Sequence, residues 1–207
     1  MATENKNLST LLNPLSKDNP VIVQILGICS CLAVTAKLEP ACVMGISVIA
    51  VLAFSNVIIS LIRNTIPTNI RIIVQLVVVA GLVVIVNQLL IAYQYDVSKQ
   101  LSVFVSLIVT NCILMGRLEA FAMGNKPWPS FLDGVGNGAG YAIILIIVAF
   151  FRELLGSGTL WGVQVIPQIC YDHGYANNGL MILPPMALIV TGCIIWVHRS
   201  VNKDLQE

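Results

Sequence analysis

The sequence predicts an all-α integral membrane protein: six transmembrane helices in two inverted three-helix repeats, the first helix of each repeat a short half-helix. Three observations carry this. Of the 207 residues 57% are apolar and 10% charged, at a mean hydropathy of +0.88. Soluble domains carry about 25% charged residues, and so few charges cannot cover a water-facing surface. Six apolar segments follow one another, at roughly 21–36, 41–62, 70–92, 101–116, 138–155 and 180–198. The two shortest of them stand first in each set of three.

Residues 1–20 are polar, contain Lys6 and Lys17, and lack an apolar core of the kind a cleavable signal needs. They are expected to be a cytoplasmic N-terminal segment, with segment one acting as the insertion signal. A spanning segment in lipid satisfies its own backbone hydrogen bonds, so helix is the expectation for each apolar run. Segments two, three, five and six have 18–23 residues and are long enough to cross. Segments one and four have 16 each. At ~1.5 Å per residue that is ~24 Å, short of a hydrocarbon core of ~30 Å. The separators are Lys37-Leu38-Glu39-Pro40, residues 63–69 with Pro67, 93–100, 117–136 and 156–179. One membrane domain therefore covers 21–199, with repeat one at about 21–95, repeat two at about 101–199, and a tail at 200–207.

The repeat has its own signature. Segment one carries Cys29 and ends in Lys37-Leu38-Glu39; segment four carries Cys112 and ends in Arg117-Leu118-Glu119. Leu61-Ile62-Arg63 closes segment two, and Phe150-Phe151-Arg152 closes segment five. Cys112 lies seven residues before Glu119, whereas Cys29 lies ten and Cys31 eight before Glu39, so spacing alone favours Cys31. Three segments per half is an odd number, which inverts the second half. Short segments at corresponding places in two halves point to a site near the midplane. If every segment changes side, one face collects Lys6, Lys17, Arg63, Arg71, Arg117, Lys126, Arg199 and Lys203, and the other Lys37, Lys99 and Arg152. The positive-inside rule then puts both termini in the cytoplasm.

Little in the chain suggests catalysis. There is no nucleophile–base constellation, no dinucleotide fingerprint and no flavin-attachment sequence. The net charge of +1 gives no basis for binding nucleic acid. The six cysteines form no C-x-x-C pair, and only Cys170 falls in an expected loop, so a disulfide framework is not indicated. With only His173 and His198 there is no His-rich metal site. A cysteine in an apolar helix is ordinarily a small hydrophobe, the reading given to Cys42 and Cys193. Cys29, Cys31 and Cys112 differ because their segments would meet at mid-membrane. Two thiolates there supply half of the four that an iron-sulfur cluster takes. Glu39 and Glu119 sit beside cations at expected helix ends, and ionisable groups at depth are either functional or locally compensated. The glycine-rich run around Asp133 reads as a turn and close helix approach before segment five. Arg152-Glu153 reads as a helix end with a snorkelling anchor.

Several ordered stretches resemble one family: Gly27-Ile28-Cys29-Ser30, Leu32-Ala33-Val34-Thr35 with Lys37-Leu38-Glu39, Ser60-Leu61-Ile62-Arg63 and Arg71-Ile72-Ile73-Val74-Gln75. Tyr95-Asp96-Val97-Ser98-Lys99-Gln100-Leu101-Ser102-Val103-Phe104, Thr110-Asn111-Cys112 and Glu119-Ala120-Phe121-Ala122-Met123 continue it, followed by Pro129 to Gly134 and Phe150 to Gly158. They are similar to the D subunits of sodium-translocating NADH:quinone oxidoreductases, within the Nqr/Rnf membrane-subunit superfamily. The resemblance covers nearly the whole chain and is weakest over 1–19 and 160–178.

The resemblance implies a membrane subunit of a redox-driven sodium pump in the bacterial inner membrane. It implies a [2Fe-2S] cluster shared with a homologous E subunit of opposite orientation, each of the two giving a pair of cysteines. Here the family's positions fall on Cys29 and Cys112, with Cys31 an additional residue. Electrons would arrive from a cytoplasmic subunit with flavin and a ferredoxin-like cluster, cross through the membrane cluster to a flavin, and reach ubiquinone. FAD, FMN and riboflavin would belong to the A, B, C and F subunits. The alternatives are the corresponding subunit of an Rnf-type complex, a secondary transporter built on inverted repeats, and a purely structural membrane subunit.

Overall fold

The computed structural model describes residues 10–11, 19–93, 106–161, 163–164 and 179–201. Lys6, Lys17, the Tyr95–Phe104 stretch, Cys170, His173, Lys203 and most of the terminal segments 1–20 and 200–207 lie outside them. The described chain is helical: α1 Ile28–Val34, α2 Leu38–Ile62, α3 Arg71–Tyr93, α4 Cys112–Arg117, α5 Pro127–Ser157 and α6 Pro184–Val201. A five-residue π-helical turn, Leu118–Ala122, extends α4. Two-residue strands Thr159–Leu160 and Val163–Gln164 pair antiparallel just after α5. Among the described residues three helices are long and apolar enough to cross a bilayer: α2, α3 and α5.

α2 starts earlier than the hydropathy pattern places it. Lys37 is its N-cap and Pro40 lies in its first turn, where a missing N–H costs nothing. Glu153 Oε2 accepts the Leu38 N–H at 2.5 Å, placing a carboxylate against the positive end of the helix. α5 also starts earlier, at Pro127 rather than near 138, and the glycine-rich run lies inside the helix. The expected turn there is corrected; the expected close approach is what the structure contains. With 31 residues, α5 is ~46 Å long at ~1.5 Å per residue, longer than the hydrocarbon core. It ends at Gly158, whose φ of 68° is the left-handed conformation that terminates helices.

Glycine positions set how α2 and α5 pack. A Cβ at Gly134 would lie 2.9 Å from Ala53 Cα, one at Gly138 2.9 Å from Ile49 Cα, and one at Gly45 2.9 Å from Ala142 Cβ. Rising numbers on α2 meet falling numbers on α5, so the helices are antiparallel, and contacts recur every fourth residue. Helices in lipid gain little from a hydrophobic effect between them, and small residues that let backbones approach replace it. Asn56 Nδ2 to the Ser130 carbonyl at 3.0 Å continues the seam. Ser60 Oγ and Arg63 Nη1 close it on the Asn125 carbonyl, each at 2.6 Å. The buried core lies along this pair, with Met44, Val48, Leu52, Ile59, Tyr141, Leu145 and Val148 all essentially inaccessible.

Segments one and four, expected as short helices, are helical only in part. The first is a turn over 20–24 held by Asn19, a break at 25–27, and then α1 of seven residues. The fourth is a helical turn at 106–109, a break at Thr110-Asn111, and then α4 of six. Each break stands immediately before Ile28-Cys29 or Cys112.

Gly138→Leu is expected to destabilise the protein by about 1–3 kcal/mol or more, the usual cost of overpacking, read as a lowered melting temperature in detergent. Gly81, with nothing within 4 Å of its would-be Cβ, is the control: Gly81→Ala is expected to leave the melting temperature unchanged or slightly raised.

Candidate functional site

The two breaks meet. A cavity of about 20 Å³ is lined by Gly27, Cys29 and Ser30 from the first and by Leu107, Thr110, Asn111 and Cys112 from the second. That volume is about the size of one water molecule's space. Cys29 and Cys112 are both exposed at the surface of the chain. Cys31 is 1% exposed and faces inward, its Sγ 3.9 Å from Thr191 Oγ1 of α6. Two residues along a helix turn the side chain by ~200°, so Cys29 and Cys31 cannot share a face. The structure thus brings together the pair that the family resemblance selects, and sets apart the residue that spacing favours.

The remaining cysteines lie elsewhere. Cys42 is half-buried on α2, and Cys193 is exposed on α6. Cys193 borders an apolar groove of about 500 Å³, which Ile22, Ile144, Ile147 and His198 also line. Among the described residues no three His, Cys, Asp or Glu side chains gather as a metal site. Soft thiol donors at one cavity suit iron or an iron-sulfur group, but this chain offers two of them.

Local sequence explains how each break forms. Gly27 has φ 78° at the N-cap of α1. A Cβ there would meet Ile113 Cδ1 at 2.7 Å and the Tyr141 ring at 3.2 Å. Ile25 also has positive φ, at 56°, which for a β-branched residue costs on the order of 1–2 kcal/mol. Asn111 makes the second break by N-capping α4: its Oδ1 accepts the Ile113 N–H at 3.2 Å.

Directly behind the thiols is a buried polar knot that the sequence pattern does not reveal. Ser30 Oγ donates to the Gly27 carbonyl at 2.9 Å and contacts the Tyr141 hydroxyl at 2.6 Å. Asn111 Nδ2 donates to Ser30 Oγ at 3.3 Å and to the Tyr141 hydroxyl at 3.5 Å. Tyr141 is a lone polar ring in an apolar stretch; the one sequence signal for it is that a buried tyrosine hydroxyl requires a partner.

The charged residues hold the frame of the site. Arg117 makes a paired contact with the Asp133 carboxylate of α5, Nε to Oδ2 at 3.1 Å, and Asn137 Nδ2 donates to the same carboxylate at 3.0 Å. Two residues on, Glu119 pairs with Arg71 of α3 and accepts from Gln75 Nε2 at 3.1 Å. The Arg117-Leu118-Glu119 triplet therefore spans from α5 to α3, with Leu118 fully buried between. Lys37-Leu38-Glu39 has another task, forming the start of α2, so the two triplets are not used alike.

Arg152 is 1% exposed and does not snorkel. It donates to Thr35 Oγ1 at 2.5 Å and to the Met181 and Ile182 carbonyls at 3.1 and 2.6 Å. Glu153 receives the backbone N–H of Leu38 and, at 3.1 Å, of Trp161. The Arg152 side chain is enclosed because the turn Gly179–Ile182 before α6 wraps over it.

Residues 7–195 match the family described as Rnf-Nqr subunit, membrane protein. Over all 207 residues the chain is 54% identical to the D subunit of the Na(+)-translocating NADH-quinone reductase of Psychromonas ingrahamii, covering 99% of that protein. It is 55% identical to the D subunit of the same reductase in Photobacterium profundum, over the whole chain and 99% of the relative. The corresponding protein of Aeromonas hydrophila is 54% identical over the whole chain and 98% of its own length.

Removing one member of the Arg117–Asp133 pair leaves a buried charge alone. Arg117→Ala and Asp133→Ala are each expected to cost about 3–5 kcal/mol. The double variant should lose less than the sum of the two, measured as a double-mutant cycle on chemical denaturation or thermal melting.

Proposed function

The chain belongs to the Rnf-Nqr family of membrane subunits, and from that premise we propose that it is the D subunit of a Na(+)-translocating NADH-quinone reductase, contributing Cys29 and Cys112 to a [2Fe-2S] cluster shared with the homologous E subunit. The observation that carries this reading is the convergence of two exposed thiols from two separate chain breaks on one cavity. A pair of thiols at the surface is an incomplete ligand set, and a second protein bringing two more would complete the four. When bound, such a cluster supplies a one-electron station inside the bilayer.

The chain's own part is to present the ligands. Thiolates bind iron where thiols do not, and the neighbouring Ile108, Ile113 and Leu114 are fully buried in the chain's own core. Cys31 packs against Thr191 and supplies no ligand.

The plan is two inverted three-helix repeats, 21–95 and 101–199, giving six membrane crossings with both termini in the cytoplasm. Its support is that α2 and α5 are antiparallel and that each half breaks just before its cysteine. The other partners are the A, B, C and F subunits, which carry the FAD, FMN and riboflavin, and the setting is the bacterial inner membrane with ubiquinone as acceptor. The relatives' identity over the full chain supports this placement in a reductase rather than in an Rnf-type complex.

Iron analysis and EPR of the purified complex test it. Cys29→Ala and Cys112→Ala are each expected to lose the membrane cluster's signal and its iron, while Cys31→Ala keeps both. Full iron retention in both of the first two variants would sink the proposal.

A further inference from the structure

α1 has seven residues and α4 six, and helices that short are not stable alone. Their orientation must come from what they touch, and so must the direction in which Cys29 and Cys112 point. The residues next to the two thiols in sequence, Ser30 and Asn111, both reach one side chain, Tyr141 of α5.

Counting protons fixes the direction of each bond. Ser30 has one hydroxyl proton, and it goes to the Gly27 carbonyl. In the 2.6 Å contact with Tyr141 the phenol must therefore donate and Ser30 accept. Asn111 Nδ2 donates to both oxygens, while its Oδ1 is committed to capping α4. The chain of bonds runs from Asn111 through Tyr141 to Ser30 and ends on the Gly27 carbonyl, the residue whose left-handed φ makes the first break. The Tyr141 ring also packs against the open face of Gly27 beside Ile113. Tyr141 is fully buried, and it rides on α5, which the seam with α2 holds rigid.

We propose that Tyr141 is the positioning residue of the thiol pair: its hydroxyl locks the two cysteine-bearing breaks in the one register that turns Cys29 and Cys112 to a common cavity. Its meaning for electron transfer rests on the cluster reading above; the positioning itself does not. Tyr141→Phe removes the donor to Ser30 and an acceptor from Asn111 while keeping the ring, so the packing against Gly27 survives. Ser30→Ala removes the same bond from the other side.

The test is thiol cross-linking in the complete complex after iron is stripped by a chelator under reducing conditions. A short rigid bis-thiol reagent and a long flexible one are applied separately, and the Cys29–Cys112 product is quantified by peptide mass. In Tyr141→Phe and in Ser30→Ala the short cross-link is expected to fall roughly five- to tenfold, of the order that losing buried hydrogen bonds brings. The long cross-link should stay at the wild-type level. Short cross-linking equal to wild type in both variants overturns the proposal. So does an equal loss with both reagents, because that is the mark of general disorder and not of lost register. The cross-link needs no iron, so iron retention in the cysteine variants would overturn the cluster reading while leaving this measurement to judge Tyr141 on its own.

Discussion

A Cβ at Gly134 or Gly138 would come within 2.9 Å of a backbone Cα of α2, so the two longest helices lie backbone against backbone. Everything else is placed relative to that contact. α5 brings Tyr141 to the thiol cavity, Asp133 to Arg117, and Arg152 and Glu153 to the far end of the pair. α2 receives the carboxylate of Glu153 at its start and ties back through Ser60 and Arg63 at its end. Were the helices spaced by larger side chains, the bonds that cross between them, Leu38 N–H to Glu153 and Asn56 to the Ser130 carbonyl, would not close.

The buried polar groups at the helix ends follow one logic. In a medium without water an unpaired donor or acceptor costs several kcal/mol, and four of the buried polar side chains stand where chain breaks leave backbone groups free. Arg152 covers the carbonyls of the turn before α6, Ser30 covers Gly27, Asn111 covers the start of α4, and Glu153 covers the start of α2. Each such residue both solves a local backbone problem and joins two helices. Cys29 and Cys112 are exempt from this arrangement. They point outward, and a thiol, as a weak hydrogen-bonding group, tolerates that without a partner.

Part of this is legible in the sequence. Hydropathy and breakers locate α2 and α3 to within a few residues, because charge and proline interrupt lipid-facing helices for clear energetic reasons. The start of α5 is not legible, since glycine stands equally for a turn and for a helix that another helix touches. Arg152 reads locally as a snorkelling anchor because the carbonyls that enclose it lie some thirty residues further along the chain, beyond any local pattern. Matching frames flag the two cysteine segments. Counting residues to a triplet favours Cys31, yet counting presumes one continuous helix in each frame: α4 runs on through its π turn to Glu119, whereas α1 ends at Val34 before α2 begins at Leu38. Tyr141 leaves no pattern, as its partners come from two other segments.

The seam also says how the sequence is free to vary. At each rung at least one partner is glycine: Gly45 faces Ala142, Ile49 faces Gly138, and Ala53 faces Gly134. Side-chain volume there belongs to the rung and not to either position, so a methyl gained on one helix must be surrendered on the other. The two helices should thus evolve as one unit. A single inserted residue in either would turn the remaining rungs by ~100° and replace every small pair beyond it at once. Substitution can proceed by exchange across a rung, whereas a change in helix length cannot be absorbed one step at a time.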